Sequence, residues 1–403
     1  MRAESPSYDR PLAGAKVLDL SQGIAGPYCG MLLAQYGAEV IKVEPAEGDW
    51  GRTLGARFGD HTAIALSGNR GKRSIALDLK SAGGRGLLAR LAARADVFIE
   101  NFRPGVSERL GVGYGAVQAA NPNVIYVSIS AFGQNGPRRS QPGSDMVAQA
   151  FSGMMMVNRA PDGPPKPTGF YTADTVTALY AFQAVAMSLA ARAFEGKGRH
   201  LDISLVHASA AFLTQKVIEG RLEGAAPKKI NVPAGSYRTR DGWITVTLTK
   251  ETHFAGLART IGREDLLSDA RFASFAARAE HAEALLPIVR EAFADRASAE
   301  WLRALAEADV LCSPINSVND WAADPHTRAV GTIAEEDLPE LPPIPWVKIP
   351  GAVHPAPDDA RTRWPDIGGD AQDILREALG LDDGAIDALV AQGVVILKST
   401  TSA

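Results

Sequence analysis

Cysteine is scarce in this 403-residue chain, which has only Cys29 and Cys312. Two cysteines exclude a disulfide framework. Both lie in apolar surroundings (PYCGMLLA and VLCSPI), so they read as buried, inert thiols. The seven His residues are scattered, HExxH is absent, and no Cys/His spacing suits zinc, so no metal site is expected. Long apolar runs are also missing. The most apolar helical stretch, Tyr180 to Phe194, contains Gln183, Ser188 and Arg192 and falls short of the roughly 20 residues that span a bilayer. It reads as a core helix. The N-terminus, MRAESPSYDRPLAG, is polar and lacks an apolar h-region, which points to a cytoplasmic protein without membrane attachment. With a net charge of −4 there is no basic field to recruit nucleic acid.

Two nucleotide motifs are missing as well. The first βα turn reads SQGIAGPYCG without GxGxxG, a poor fit to a dinucleotide pyrophosphate. The stretch GNRGKRS (68–74) fails as a P-loop on spacing, and Arg73 stands where a Mg²⁺-binding Ser or Thr belongs.

What is present is an α/β pattern. KVLDLS (16–21), EVIKVE (39–44), SIALDL (74–79), DVFIENF (96–102), NVIYVSIS (123–130) and HLDISL (200–205) read as strands. Helical patterns lie between several of them, one opened by Pro27 and stopped by Gly37, another over about 83–94. This alternation predicts a parallel, Rossmann-like sheet. A long helix is expected from about Asp174 to Ala193. The character changes at GAAPKKINVPAG (224–235); beyond it, strands around the Asp241-Gly242 turn and helices near 252–262, 279–295 and 299–307 predict a smaller α+β domain. The domains are therefore set at 1–225, 226–330 and 331–403. The last begins with a Pro-rich return linker and ends in helices near 370–379 and 384–392.

The candidate site residues have ordinary explanations beside functional ones. Lys72, Arg73, Lys80, Arg103 and Arg109 cluster at predicted strand ends, and ligands of open parallel sheets bind beyond the carboxyl ends of strands. Lys80, Arg103 and Arg109 are candidates to meet a polyanion; scattered surface charge is the plain alternative. Asp174 stands where an apolar-periodic helix begins (Val176, Leu179, Phe182, Val185, Leu189). It reads as a helix cap or as a nucleophilic carboxylate kept ionised by the helix dipole.

The order of several longer blocks carries a resemblance. VLDLSQGIAGPYCGMLLAQYGAEVIKVE (17–44), GKRSIALDLK (71–80), DVFIENFRPGVSERLG (96–111), GSDMVAQAFSGMM (143–155), ADTVTALYAFQAVAMSLAARAFEGKGRHLDISL (173–205) and PAGSYRTRDGWI (233–244) resemble the class III CoA-transferases, a family that also contains 2-methylacyl-CoA racemase. The resemblance implies a Rossmann-like large domain built from both ends of the chain, a small middle domain, and a homodimer of interlocked rings. It implies acyl-CoA and carboxylic acid substrates and no tightly bound cofactor. Asp174 falls on the family's nucleophilic aspartate. Ile24, Ala25, Leu77, Lys80, Asn101, Phe102, Arg103 and Arg109 fall on its CoA-binding segments, and Ser144 is counted with them as a hydrogen-bonding residue where many transferases have an aromatic hydroxyl. Racemases of this family have a His-Asp pair where this chain has Ser144-Asp145; a Ser hydroxyl is too weak a base for α-proton abstraction, so transfer is expected over racemisation. A non-catalytic CoA-binding protein is the third reading, disfavoured by the intact Asp174. The glycine-rich lid of formyl-CoA transferases is absent, with only Ala234-Gly235 in the comparable region, which speaks against an oxalate/formate assignment, and GGDA (368–371) stands where relatives usually have a His. Gln149 and Tyr171 are considered as oxyanion donors.

Overall fold

The computed structural model describes residues 8–59, 61–160, 163–224, 231–338 and 341–397. The polar N-terminal segment on which the cytoplasmic expectation partly rests and the expected boundary at 226 fall outside these residues. The chain divides into two compact units, 1–214 with 334–403, and 215–333.

The first unit is built on a seven-stranded sheet. Its strands are β1 (Lys16–Asp19), β2 (Glu39–Glu44), β3 (Arg73–Leu77), β4 (Val97–Glu100), β5 (Ile125–Ser130) and β6 (Arg199–Ser204), with Val395–Ile396 pairing antiparallel to β3. The six longer strands are parallel and run in the order β3-β2-β1-β4-β5-β6. That order matches the winding of doubly wound dinucleotide-binding sheets and puts a topological switch point between β1 and β4. β2 and β4 are buried along nearly their whole length, as strands covered on both faces require.

Helix α1 (Ala25–Gln35) follows β1; Pro27 sits in its first turn, where no intrahelical donor is needed, and Gly37 ends it at φ +97°. Later come α2 (Ala82–Ala92), α3 (Asp145–Phe151) and α4 (Thr172–Glu195). α4 is longer than the Tyr180–Phe194 stretch suggested: its 24 residues are long and apolar enough to cross a bilayer by length and composition alone. In this unit it is a packed helix. Ala173, Ala178, Ala181 and Val185 share one core cluster with Ala25, Cys29 and Leu33 of α1 and with β4 and β5. Tyr36, just past α1, stacks on Phe182 with ring centroids 5.1 Å apart.

The C-terminal segment closes the other face through helices Ala371–Leu379 and Asp383–Ala391. The GGDA stretch has a structural role there. Gly368, at φ +67°, lies against Ile396 O, which an added Cβ would approach to 2.5 Å, and Asp370 accepts the Ser74 N–H at 2.8 Å.

The second unit holds the antiparallel strands β7 (Gly235–Arg238), β8 (Trp243–Thr247) and β9 (Leu311–Pro314). Helices Glu251–Thr260, Ala282–Ala294 and Ser298–Glu307 cover a core containing Ile244, Leu257, Leu285, Phe293 and Trp301. The sequence reading did not place β9, whose four residues pair with β8. Its Cys312 is only partly buried, unlike Cys29.

Candidate active site

Three side-chain systems meet at the carboxyl edge of the large sheet. The first fixes the loop between β1 and α1. Asp19 accepts the Ser21 N–H at 2.9 Å, and Lys42 Nζ donates to Ser21 O at 2.6 Å. Asn101 accepts from Gln22 N at 2.8 Å and donates to Gln22 O at 2.7 Å; Asp49 accepts from Gly23 N at 2.7 Å. Side chains from β1, from β2 and the turn after it, and from the end of β4 thus satisfy the loop's backbone up to the point where Ile24 and Ala25 begin α1. Asn101 bridges the two strands of the switch point, so the structure brings Ile24, Ala25 and Asn101 together.

Beneath that loop lies a buried ionic lattice. Lys42 pairs with Asp49 at 2.9 Å and Lys72 with Asp19 at 2.7 Å, all four inaccessible or nearly so. Burial works against the charge on Lys42, yet Asp49, Asp19 and Glu44 hold its ammonium above the usual lysine range. Burial wins at Lys72, which is held down to about 8. Gly30 of α1 makes room for the pair, since a Cβ there would lie 2.6 Å from the Asp19 carboxylate.

This corrects part of the cation cluster. Lys72 is a structural ion-pair partner, because its Nζ is spent on Asp19, Pro27 O and Asn69. Arg73 faces the amino end of β3, where it pairs with Glu39 and Glu377. Lys80, Arg103 and Arg109 are exposed beyond the carboxyl ends of β3 and β4, and among the described residues none of the three side chains is engaged in an ion pair. Leu77 is 1% exposed and belongs to the core, so its side chain does not reach the edge. Phe102 packs partly on that core while its N–H donates to Glu100 at 2.9 Å; burial pushes the Glu100 carboxyl up to about 7.

The third system surrounds Asp174. Arg192, near the C-terminus of α4, donates to Asn123 O at 3.0 Å and pairs with Asp96 at 2.8 Å, which ties that end to the amino edge of β4 and β5. Eighteen helical residues span about 27 Å and a six-residue strand about 20 Å, so Asp174 stands over the carboxyl edge. It occupies the third helical position, and its own carboxylate does not cap the helix. Tyr171, at the cap position, makes no side-chain bond to the helix either. Asp145 does the capping from α3, accepting the Asp174 N–H at 3.1 Å. Burial, then the charge of Asp145, push the Asp174 carboxyl up to about 7. Asp145 occupies that terminus and adds a like charge, so these interactions work against the expectation that the helix terminus keeps Asp174 ionised.

Gln149 is not a free oxyanion donor. Its amide is fully used, donating to Asp145 and to Phe170 O and accepting from Thr168 N at 3.0 Å. Ser144 is exposed at the start of α3 and makes no capping bond, while its neighbour Asp145 turns inward. Asp145 is the residue the sequence reading passed over; the available signal was its place at the start of a helix in the same pair as Ser144. Among the described residues no group of His, Cys, Asp and Glu is arranged to hold a metal.

Among the described residues the arrangement offers a basic carboxylate that accepts no hydrogen bond, a backbone loop held at a switch point, and, along one edge, three cations outside any ion pair. That combination suits nucleophilic attack on a ligand with an anionic tail.

The profile of CoA-transferase family III matches residues 12–371. A succinyl-CoA:glutarate CoA-transferase of Homo sapiens is 34% identical over 399 residues, covering 96% of this chain and 90% of that protein. An acetyl-CoA:oxalate CoA-transferase of Acetobacter aceti is 35% identical over 349 residues, covering 85% and 90%. The crystal structure of a CAIB/BAIF family protein from Brucella suis superposes with a TM-score of 0.82 at 33% identity, covering 92% of this chain and all of that one.

Proposed function

The chain belongs to CoA-transferase family III and is a CoA-transferase, and we propose that it works through a covalent intermediate on Asp174. The carrying observation is that the Asp174 carboxylate accepts no hydrogen bond from any described residue while its pKa is pushed up to about 7. A carboxylate that basic is a better nucleophile than an ordinary one once it has lost its proton.

Asp174 attacks the thioester carbonyl of the donor; the C–S bond breaks, CoA thiolate leaves, and a mixed anhydride remains. The thiolate attacks the aspartyl carbonyl of that anhydride and releases the donor acid, leaving an aspartyl-CoA thioester. The acceptor carboxylate displaces the thiolate to form a second anhydride. Attack of the thiolate on the acceptor's carbonyl then yields the new thioester and restores Asp174. Lys80, Arg103 and Arg109 supply unpaired positive charge for the phosphates of CoA, and Asn101 holds the Ile24–Ala25 loop beside them. The named relatives act on glutarate and oxalate, which supports a dicarboxylic acid acceptor.

The test is a chemical trap. Incubation with succinyl-CoA and hydroxylamine should place a hydroxamate on residue 174, read by mass spectrometry of its peptide. A wild-type enzyme that transfers CoA with residue 174 unlabelled overturns the covalent reading. The pH profile gives a second check. Because the ionised form reacts, kcat/KM should rise with pH through about 7, and Asp145→Asn should move that limb to lower pH by removing the like charge. A limb unmoved in Asp145→Asn would separate it from Asp174.

The proposal extends to a homodimer. The first unit exposes Met146, Phe151, Phe170, Leu179, Met187 and Phe194, and the last three lie on the one long helix α4, which supports a partner covering that helix. Sedimentation as a monomer would remove this part.

A further inference from the structure

Trp50 combines an anchored backbone with an exposed side chain. It begins a short 3₁₀ turn, Trp50–Arg52, capped by Asp49, whose carboxylate accepts the Gly51 N–H at 2.9 Å. Arg52 makes a two-pronged bond to Glu44 at 2.7 and 2.8 Å, and Glu44 also accepts the Asp49 N–H at 2.9 Å. Thr62 donates to Gly51 O at 2.7 Å. The backbone around Trp50 is thus anchored to buried charge, yet the residue itself is 48% exposed.

The indole rests on the β1–α1 loop. Gly23, at φ +81°, touches it so closely that a Cβ there would fall 2.0 Å from Trp50 Cζ2. Only glycine lets the ring come this close to the loop, and Asp49, the residue before Trp50, holds the Gly23 N–H. The strand order then places the ring. Lys80 follows β3, Trp50 follows β2, and Ile24 follows β1, which are neighbours in that sequence across the sheet. A ligand with phosphates near Lys80 and a thioester near Asp174 carries its apolar middle across Trp50.

Resting on the transferase reading, we propose that Trp50 is a substrate-contacting residue, its exposed indole surface packing on the pantetheine chain of bound acyl-CoA. A large, stiff aromatic held against the loop through Gly23 and about half exposed offers contact area at little cost in ordering.

The experiment measures binding of coenzyme A, 4′-phosphopantetheine and 3′,5′-ADP by calorimetry to wild type, Trp50→Ala and Trp50→Phe. Loss of the indole contact should weaken coenzyme A and 4′-phosphopantetheine about 10–50-fold in Trp50→Ala. Binding of 3′,5′-ADP should stay as in wild type, and Trp50→Phe should restore most of the lost affinity. Wild-type affinity for coenzyme A in Trp50→Ala overturns the proposal. So does an equal loss for 3′,5′-ADP, which would mean general damage to the loop. Intrinsic fluorescence compared between wild type and Trp50→Phe adds a check: a Trp50 signal that follows protein concentration and ignores coenzyme A makes it a subunit contact and overturns the proposal. A wild type that binds no coenzyme A at all overturns the transferase reading itself, whereas normal binding and transfer with an unaffected Trp50→Ala sinks only this inference.

Discussion

Replacing Asp174 with Ala should lower kcat by about 10³-fold or more, since removal of a covalent nucleophile leaves only binding and polarisation. Coenzyme A should still bind with near wild-type affinity, because the cations and the β1–α1 loop are untouched. A variant retaining a tenth of the activity would end the covalent mechanism. Asp174→Asn separates catalysis from stability. The folded-state pKa of Asp174 lies above its unfolded value, rising from 3.8 to about 7. Between those values the folded chain holds more protons than the unfolded one, so this group's contribution to stability falls as pH rises through that window. Asn cannot ionise. Asp174→Asn should therefore melt higher than wild type at pH 8 and show little difference at pH 4, while being inactive at both. Equal melting temperatures at pH 8 would show that burial does not penalise the ionised carboxylate.

Lys42→Met should cost about 3–5 kcal/mol, the usual penalty for stripping one member from a buried ion pair. The loss leaves Asp49 inaccessible, bonded by the Gly23 and Gly51 N–H groups and facing the charges of Arg52 and Lys72 without a bond to either. It also removes the donor to Ser21 O at the base of the β1–α1 loop. Unfolding in urea should report the drop as a lower midpoint. The double variant Lys42→Met with Asp49→Asn should recover part of it, because the stranded charge is gone. A Lys42→Met protein as stable as wild type would mean that the lattice is solvated and does not hold the loop.

Much of the sheet was legible from residues alone. EVIKVE coincides with β2 because Val40, Ile41 and Val43 favour a strand and the charged Glu39 and Glu44 mark its ends, and Gly37 marked the end of α1 because only a positive φ closes that turn. Strands that end in polar residues were read too long: KVLDLS gave up Leu20 and Ser21 to the loop that Asp19, Lys42 and Asn101 hold. Charge was the least legible property. Lys72 and Lys80 lie eight residues apart and look alike in sequence, but one is wholly buried against Asp19 and the other is open to solvent. Nothing local distinguishes them, because burial is decided by helix α1 and its Gly30, far away in the chain.

Asp174 shows the division most clearly. Its sequence placed a carboxylate at the start of a long apolar helix, and the surrounding blocks named a family and a chemistry for it. Tertiary structure decided its electrostatics. Asp145, 29 residues earlier, takes the helix-terminal N–H that would have stabilised an ionised Asp174 and sets a second negative charge beside it. Periodicity records which residues prefer a helix or a strand because those preferences act over a few residues. The pKa of a carboxylate depends on what lies within a few ångströms of it, and only folding brings those groups together.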